Sequence, residues 1–164
     1  MTVTAVRKDT EALTMTLTAE FEASPERVWD LWADPRKLER WWGPPTYPAT
    51  FTRHEFVVGG QCRYYMTGPE GRGPGGWWQI DTLEKPHRIE FANGFAGDDG
   101  EPAPGAPPAA EIVTLEPTDT GTLMTIQTRF VSLEQMDRML GMGMQEGMGL
   151  AMGQIDALLE PVVA

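Results

Sequence analysis

The last long stretch of the chain, Ser132 to Glu160, limits the fold more than any other part of it. With about 100° between successive helical residues, Leu133, Met136, Leu140, Met144, Met148, Ala151, Met152, Ile155, Leu158 and Leu159 share one face. Gln135, Arg138, Gln145, Glu146, Asp156 and Glu160 take the other. This pattern predicts one amphipathic helix. Ser132 and Gln135 have capping-box spacing at its start, and Pro161 stops it. Inside it lie Gly141, Gly143, Gly147, Gly149 and Gly153. Each costs about 0.5–1 kcal/mol relative to alanine, so the helix must draw its stability from packing. Its apolar face carries no aromatic ring and many flexible thioethers, which makes the surface adaptable. The plainer reading is core filler; the sharper one is the pliable wall of a ligand cavity.

The rest of the chain supplies what such a helix covers. Ala12 to Phe21 alternates apolar and polar residues and reads as a half-buried strand. Ser24, Pro25 and Glu26 open a short helix through Val28, Trp29 and Trp32, and Asp34–Pro35 starts a second from Arg36 to Trp41, ended by Gly43-Pro44-Pro45. Five short strands follow at 49–57, 61–67, 77–83, 88–95 and 111–116, and a last one at 122–131. Their alternation puts Cys62, Tyr64 and Met66, then Trp78 and Ile80, Ile89 and Phe91, Val113 and Leu115, and Met124, Ile126 and Phe130 on the inner side; the inner face of 49–57 stays unassigned. Clean alternation implies an antiparallel sheet with one covered face. A sheet of about seven strands curls, and one helix laid across it leaves room for a cavity. The fold class is therefore α+β, with residues 1–11 as a tail and 12–164 as one domain.

Two glycine-rich segments, Gly68–Gly76 and Gly94–Ala110, fall at one end of the sheet and would flank the mouth of that cavity. The first lacks the GK[ST] ending and following helix of a phosphate loop. The second, long, acidic and rich in Pro and Gly, reads as a mobile surface loop sooner than as an ordered lid, and the lid stays open as the alternative.

Charge and titratable groups narrow the chemistry. A net charge of −11 over 164 residues repels phosphate backbones and anionic surfaces, so nucleic acid is not an expected partner. No apolar run approaches the roughly 18 residues of a membrane span, and the N-terminal residues lack a signal-peptide block. A cytoplasmic protein without membrane insertion is expected. The lone Cys62 rules out an internal disulfide, and two histidines without metal-ligand spacing imply no metal. No cofactor is implied. His87, after Pro86, reads as a solvated turn residue; Ser24 is a cap without a histidine partner; Arg63 and Asp81 read as outward and solvated. His54, Tyr64 and Asp137 are the remaining weak catalytic candidates. Asp137 projects from the apolar face of the last helix, as a first-turn acid or as a polar anchor at the cavity mouth. No catalytic constellation forms.

The strings FEASPERVWDLWADPRKLERWWGPP, VVGGQCRYYMTGPEG, KPHRIEF, DTGTLMTIQTRF and EGMGLAMGQIDALL resemble the AHSA-type branch of the SRPBCC, START-like or Bet v 1-like superfamily, over Leu13 to Leu159. The resemblance implies the helix-grip fold: a curved antiparallel sheet, two short helices after its first strand and a long C-terminal helix across it. Members of the wider superfamily bind lipids, steroids or polyketide-like molecules in the cavity, and some cyclise or hydrate them. Small one-domain members resemble only the second domain of the eukaryotic chaperone activators, so a chaperone partner is left open and not inferred, as is a homodimer. Two departures stand out: Met148 follows Gly147 where many members carry Trp, which would enlarge the cavity, and the Gly94–Ala110 loop is longer and richer in proline. The expected ligand is a small hydrophobic or amphipathic molecule, lined by Trp32, Tyr64, Met66, Trp78, Ile80, Phe91, Met124, Ile126, Met144, Met148 and Met152, with Tyr64 and Asp137 as polar handles. The alternatives are a cyclase-, dehydratase- or hydrolase-like enzyme using the same cavity, and a protein-interaction module.

Overall fold

The computed structural model describes residues 3–159; Pro161, read above as the helix stop, lies outside them. Eight strands form one antiparallel sheet: β1 (Val3–Asp9), β2 (Thr14–Phe21), β3 (Ala49–His54), β4 (Gln61–Gly68), β5 (Gly71–Glu84), β6 (Arg88–Ala96), β7 (Ala109–Pro117) and β8 (Thr122–Arg129). Their spatial order is β1-β2-β8-β7-β6-β5-β4-β3. From β3 to β8 the chain is a meander, and β8 returns to pair with β2 over its whole length. The helix-grip architecture is thus what forms, with one strand more than expected.

The extra strand is β1. The segment assigned to a tail instead pairs with β2 and forms one edge of the sheet. At the other edge, the hairpin of β4 and β5 absorbs most of the Gly68–Gly76 segment: only Pro69 and Glu70 lie between the strands, and Gly68 pairs with Gly71. Gly68 and Gly76, read as loop residues, are here strand residues packed against the Tyr47 and Tyr64 rings.

Between β2 and β3 the chain crosses the concave face through α1 (Pro25–Ala33) and α2 (Pro35–Leu38). Ser24 Oγ accepts from Arg27 N at 3.3 Å, and Asp34 Oδ1 from Arg36 N at 2.9 Å, so both helices begin where the capping residues predict. α2 also covers the edge strand. Glu39 Oε2 accepts the Phe51 N–H at 2.6 Å, and Arg36 Nη2 donates to the Phe51 carbonyl at 3.3 Å, which blunts the exposed pairing groups of β3.

The C-terminal segment departs most from expectation. It is not one helix but three: α3 (Leu133–Gly141), α4 (Met144–Met152) and α5 (Ile155–Leu159). The first break is at Gly143, whose φ of 87° is left-handed, a conformation that glycine alone adopts without steric cost. The glycines that weaken helix propensity are where the chain turns. The buried face is also rotated from the predicted one: Gln135 and Met136 are buried, whereas Leu133 and Asp137 are exposed. Ser132 does cap α3, accepting from Gln135 N at 3.1 Å, while Gln135 Oε1 takes the Val131 N–H at 2.8 Å. The Gln135 side chain then donates to Pro107 O at 2.7 Å. This bond, a bridge between Ala96 and Pro102, and an Arg63–Glu101 ion pair at 3.0 Å tie down the segment read as a mobile loop. Arg63 is accordingly paired on the outer face and not simply solvated. Gln154 Nε2 donates to Gly43 O at 2.8 Å, and Arg27 Nη2 to Leu159 O at 2.8 Å, fastening α4 and α5 to the segment after α2 and to α1.

Candidate functional site

The trough between sheet and helices has two ends. At one end α1 and the residues after α2 insert their aromatic rings. Trp32 packs edge-on against Trp41 at 4.7 Å, Trp42 against Trp78 at 4.9 Å, and Trp78 stacks on Phe91 at 4.2 Å. Such ring pairs add to the several kcal/mol of area burial that each ring already contributes. Trp32, Trp78, Ile80, Phe91 and Met124 are at most 1 % exposed. They were expected to line a cavity; they form the solid core beneath it.

At the other end the trough stays open, with a volume of about 260 Å³. Of the residues named from the sequence, Tyr64, Met66, Ile126, Met144, Met148 and Met152 lie along it. Sequence reasoning missed Trp41, Trp42, Gly43 and Pro44, because the chain after α2 folds back over the trough. It also missed Asn93 and Phe95 on β6 and Met139, Met142, Gly143, Gly147 and Ala151 on the helical wall. Asn93 and Phe95 share parity with Ile89 and Phe91, so strand alternation carried that signal.

The polar part of the wall is a short network that runs outward from the core. Tyr64 Oη donates to Asn93 Oδ1 at 3.4 Å, and the Asn93 amide reaches toward Glu111. Thr128 Oγ1 lies 3.0 and 2.9 Å from the two Glu111 carboxyl oxygens. Glu111 and Thr128 are directly paired across β7 and β8, and both are buried. Among the described residues, no cation faces this carboxyl. Burial pushes it up to about 8, against the opposing pull of the Thr128 and Asn93 hydrogen bonds, so below that pH it is a neutral acid. Burial likewise pushes the Tyr64 phenol up to about 12: the hydroxyl stays protonated, while the ring remains partly accessible from the cavity. The indole N–H groups of Trp42 and Trp78 approach the same hydroxyl without closing a hydrogen bond.

Glu111 was missed although its signal was in the sequence. It has the parity of Val113 and Leu115, both assigned inward, just as Thr128 has that of Ile126.

Tyr64 is positioned by a glycine. It pairs with Gly76 across β4 and β5, and its phenol ring occupies the space that a Cβ on Gly76 would take. Gly76→Ala should therefore evict the ring from the floor of the cavity. The expected cost is about 1–3 kcal/mol, measured by denaturant unfolding, together with loss of the NMR contacts between the Tyr64 and Trp42 rings. An unchanged Tyr64 environment would contradict this placement.

The other candidates lie elsewhere. His54 Nε2 is 3.1 Å from Trp32 O, and its ring stacks on Phe56 at 5.5 Å. Burial lowers its pKa from the ordinary value, so it favours the neutral form, away from the cavity. Asp137 is exposed on α3 and does not line the cavity; the rotation of α3 turns it outward. The lone thiol, Cys62, is buried, which pushes it up to about 11, so it is no nucleophile near neutrality.

Comparison with known proteins adds the following. The family model described as "Activator of Hsp90 ATPase homolog 1-like protein" matches residues 22–160. No curated protein matches. Among solved structures, a protein from Arthrobacter aurescens studied by solution NMR is 54 % identical, with 96 % of this chain and 92 % of that one covered and a TM-score of 0.92. A Mycobacterium smegmatis protein is 41 % identical, with 99 % of each chain covered and a TM-score of 0.90. A Rhodobacter sphaeroides protein at 25 % identity covers 94 % of this chain and 97 % of its own, with a TM-score of 0.80. Among the described residues, no helix is long and apolar enough to cross a membrane.

Proposed function

The chain belongs to the family of activator of Hsp90 ATPase homolog 1-like proteins, and from that premise we propose that it binds a small hydrophobic or amphipathic molecule between the open end of its sheet and the α3–α4 wall. The observation that carries this reading is a cavity of about 260 Å³ whose helical wall is built of methionine and glycine over a sheet floor holding one polar network. Four methionines, Met139, Met142, Met144 and Met148, rim it; their unbranched side chains adapt to an occupant of irregular shape. A volume near the lower end of the roughly 300–1,000 Å³ range of small-molecule sites favours an occupant of about two fused rings or an equivalent chain.

A cyclase- or hydrolase-like reaction in the same cavity would rest on Tyr64 alone among the three catalytic candidates, because His54 and Asp137 do not reach it. A phenol pushed up to about 12 is a hydrogen-bond donor and a poor base at neutral pH, which favours binding over acid-base chemistry.

Native mass spectrometry of gently purified protein, with thermal-shift screening of small hydrophobic molecules, tests the proposal. A co-purified molecule, or a saturable rise in melting temperature, is the expected result. Absence of both, across neutral and charged hydrophobes, would remove the cavity as a ligand site.

A further inference from the structure

Resting on that reading, we infer that the cavity selects a flat aromatic hydrocarbon surface without a hydrogen-bonding group, held between methionine sulfurs of the sheet and of the helical wall. Two observations carry this. The wall offers no free polar side chain to an occupant, and its flexible apolar side chains are of one kind.

Among the described residues that line the cavity, four side chains carry nitrogen or oxygen: Trp41, Trp42, Tyr64 and Asn93. All four are engaged within the protein. Trp41 Nε1 donates to Leu31 O at 3.0 Å. Trp42 Nε1 is buried and faces the Tyr64 hydroxyl. That hydroxyl donates to Asn93 Oδ1, and the Asn93 amide is directed at Glu111. The main-chain oxygens of Gly43 and Pro44 are likewise taken, by the Gln154 amide and the Tyr47 N–H, each at 2.8 Å. A carbonyl or hydroxyl entering this space would give up its hydrogen bonds to water without replacement.

Six of the chain's ten methionines converge here, whereas Ile126 is the one branched aliphatic side chain along the cavity among the described residues. Met66 stands on β4; Met139, Met142, Met144, Met148 and Met152 stand on α3, on α4 and between them. Gly43 makes room for the first of these, since Met66 Sδ lies 2.9 Å from where a Cβ on Gly43 would stand. Leucine would supply the same apolar volume. A thioether adds a polarisable sulfur that is attracted to aromatic rings beyond what its area contributes, and a saturated ring draws no comparable gain. A molecule lying between sheet and helices meets sulfur on both sides.

The test uses three probes of one size, ethylnaphthalene, acetylnaphthalene and ethyldecalin, measured by calorimetry on the full chain at pH 7. Ethylnaphthalene is expected to bind about tenfold tighter than acetylnaphthalene, the cost of burying one unpaired carbonyl. It should also bind about tenfold tighter than ethyldecalin, through several sulfur–ring contacts; hydrophobicity alone predicts the reverse order, because the saturated bicycle has more apolar surface. The double variant Met144→Leu, Met148→Leu conserves volume and helix propensity and should cut the aromatic advantage to about threefold, with two of six sulfurs removed. The order of the three probes on the parent protein stands as a test whether or not that variant folds. Acetylnaphthalene binding as tightly as ethylnaphthalene would show a donor open to the cavity, and ethyldecalin binding as tightly would show that sulfur does not select; either overturns the inference and leaves the ligand site standing. An aromatic advantage unchanged in the double variant would overturn the role of the methionines. Failure of all three probes to bind would remove the ligand site itself.

Discussion

Glu111→Gln is expected to stabilise the protein at pH 8 by several kcal/mol and to change it little near pH 5. The Glu111 carboxyl is raised by burial from 4.5 to about 8 in the folded state. Between those values the native chain holds a proton that the unfolded chain has released. Stability therefore falls as pH rises, by about 1.4 kcal/mol per unit for one proton, and by about 4 kcal/mol over the whole interval. Below 4.5 both states are protonated and the contribution is fully present; above about 8 the loss levels off. Gln cannot ionise, keeps the shape, and still exchanges hydrogen bonds with Thr128 and Asn93. Urea unfolding of both proteins across pH 5–9 measures the divergence directly. Parallel curves would mean that Glu111 is ionised and solvated in the native state, against the burial described here. His54 works in the opposite direction: its depressed pKa makes stability fall as pH drops below 6.5, so the comparison must be made between variants and not along one curve.

A buried acid without a cation is a thermodynamic burden that a core needs for nothing else. An apolar residue at that position would remove the desolvation cost. Its place beneath Asn93, and through Asn93 beneath Tyr64, gives it a role: it helps fix the amide that faces the cavity. The three polar side chains come from β6, β7 and β8, at the end of the trough that the aromatic rings leave open. The energetic cost and the open space coincide, as at a site shaped for occupancy.

How much of this could be read from the sequence follows from the two periodicities. Strand alternation is rigid, so the inward sets of β4 to β8 were legible, and the same parity applied without bias to Glu111, Asn93 and Thr128 would have exposed the polar network. Attention to apolar residues alone hid it. Helical periodicity was legible only in outline. Five glycines in one segment signal weak propensity, but not which one adopts a left-handed φ, because that depends on where the sheet beneath curves away. The break at Gly143 then rotates α3, turning Asp137 outward and bringing Met139 to the cavity. The depth of the cavity was illegible for a related reason: whether Trp32 and Trp78 line a void or fill it depends on how far α1 inserts, a tertiary quantity with no local signature. Trp41 and Trp42, adjacent in the sequence, are both buried since the chain there is a turn and not a strand.

Gly147→Leu should abolish binding of any cavity ligand while leaving the protein folded and no less stable. Gly147 lies in α4 and lines the cavity, and a Cβ built on it meets no atom within 4 Å. Leucine at a helix interior is favoured over glycine by about 0.8 kcal/mol in intrinsic propensity. Its side chain would extend into a space of about 260 Å³, among thioethers and the Trp42 ring, so the substitution adds apolar contact where none exists. A core position would respond oppositely, since adding a large side chain to close packing costs about 1–3 kcal/mol. The sign of the stability change thus separates a void from a packed interior, and the ligand response separates a used void from an idle one. A melting temperature equal to or above that of the parent, together with loss of the thermal shift that a small hydrophobic molecule gives the parent, is the expected pair of results. A destabilised variant would show that the methionines already close over the cavity. A stable variant that still binds would place the ligand somewhere other than the α4 wall. Glycine retained at a helical position where leucine is both accommodated and more stable is explained by the space it preserves.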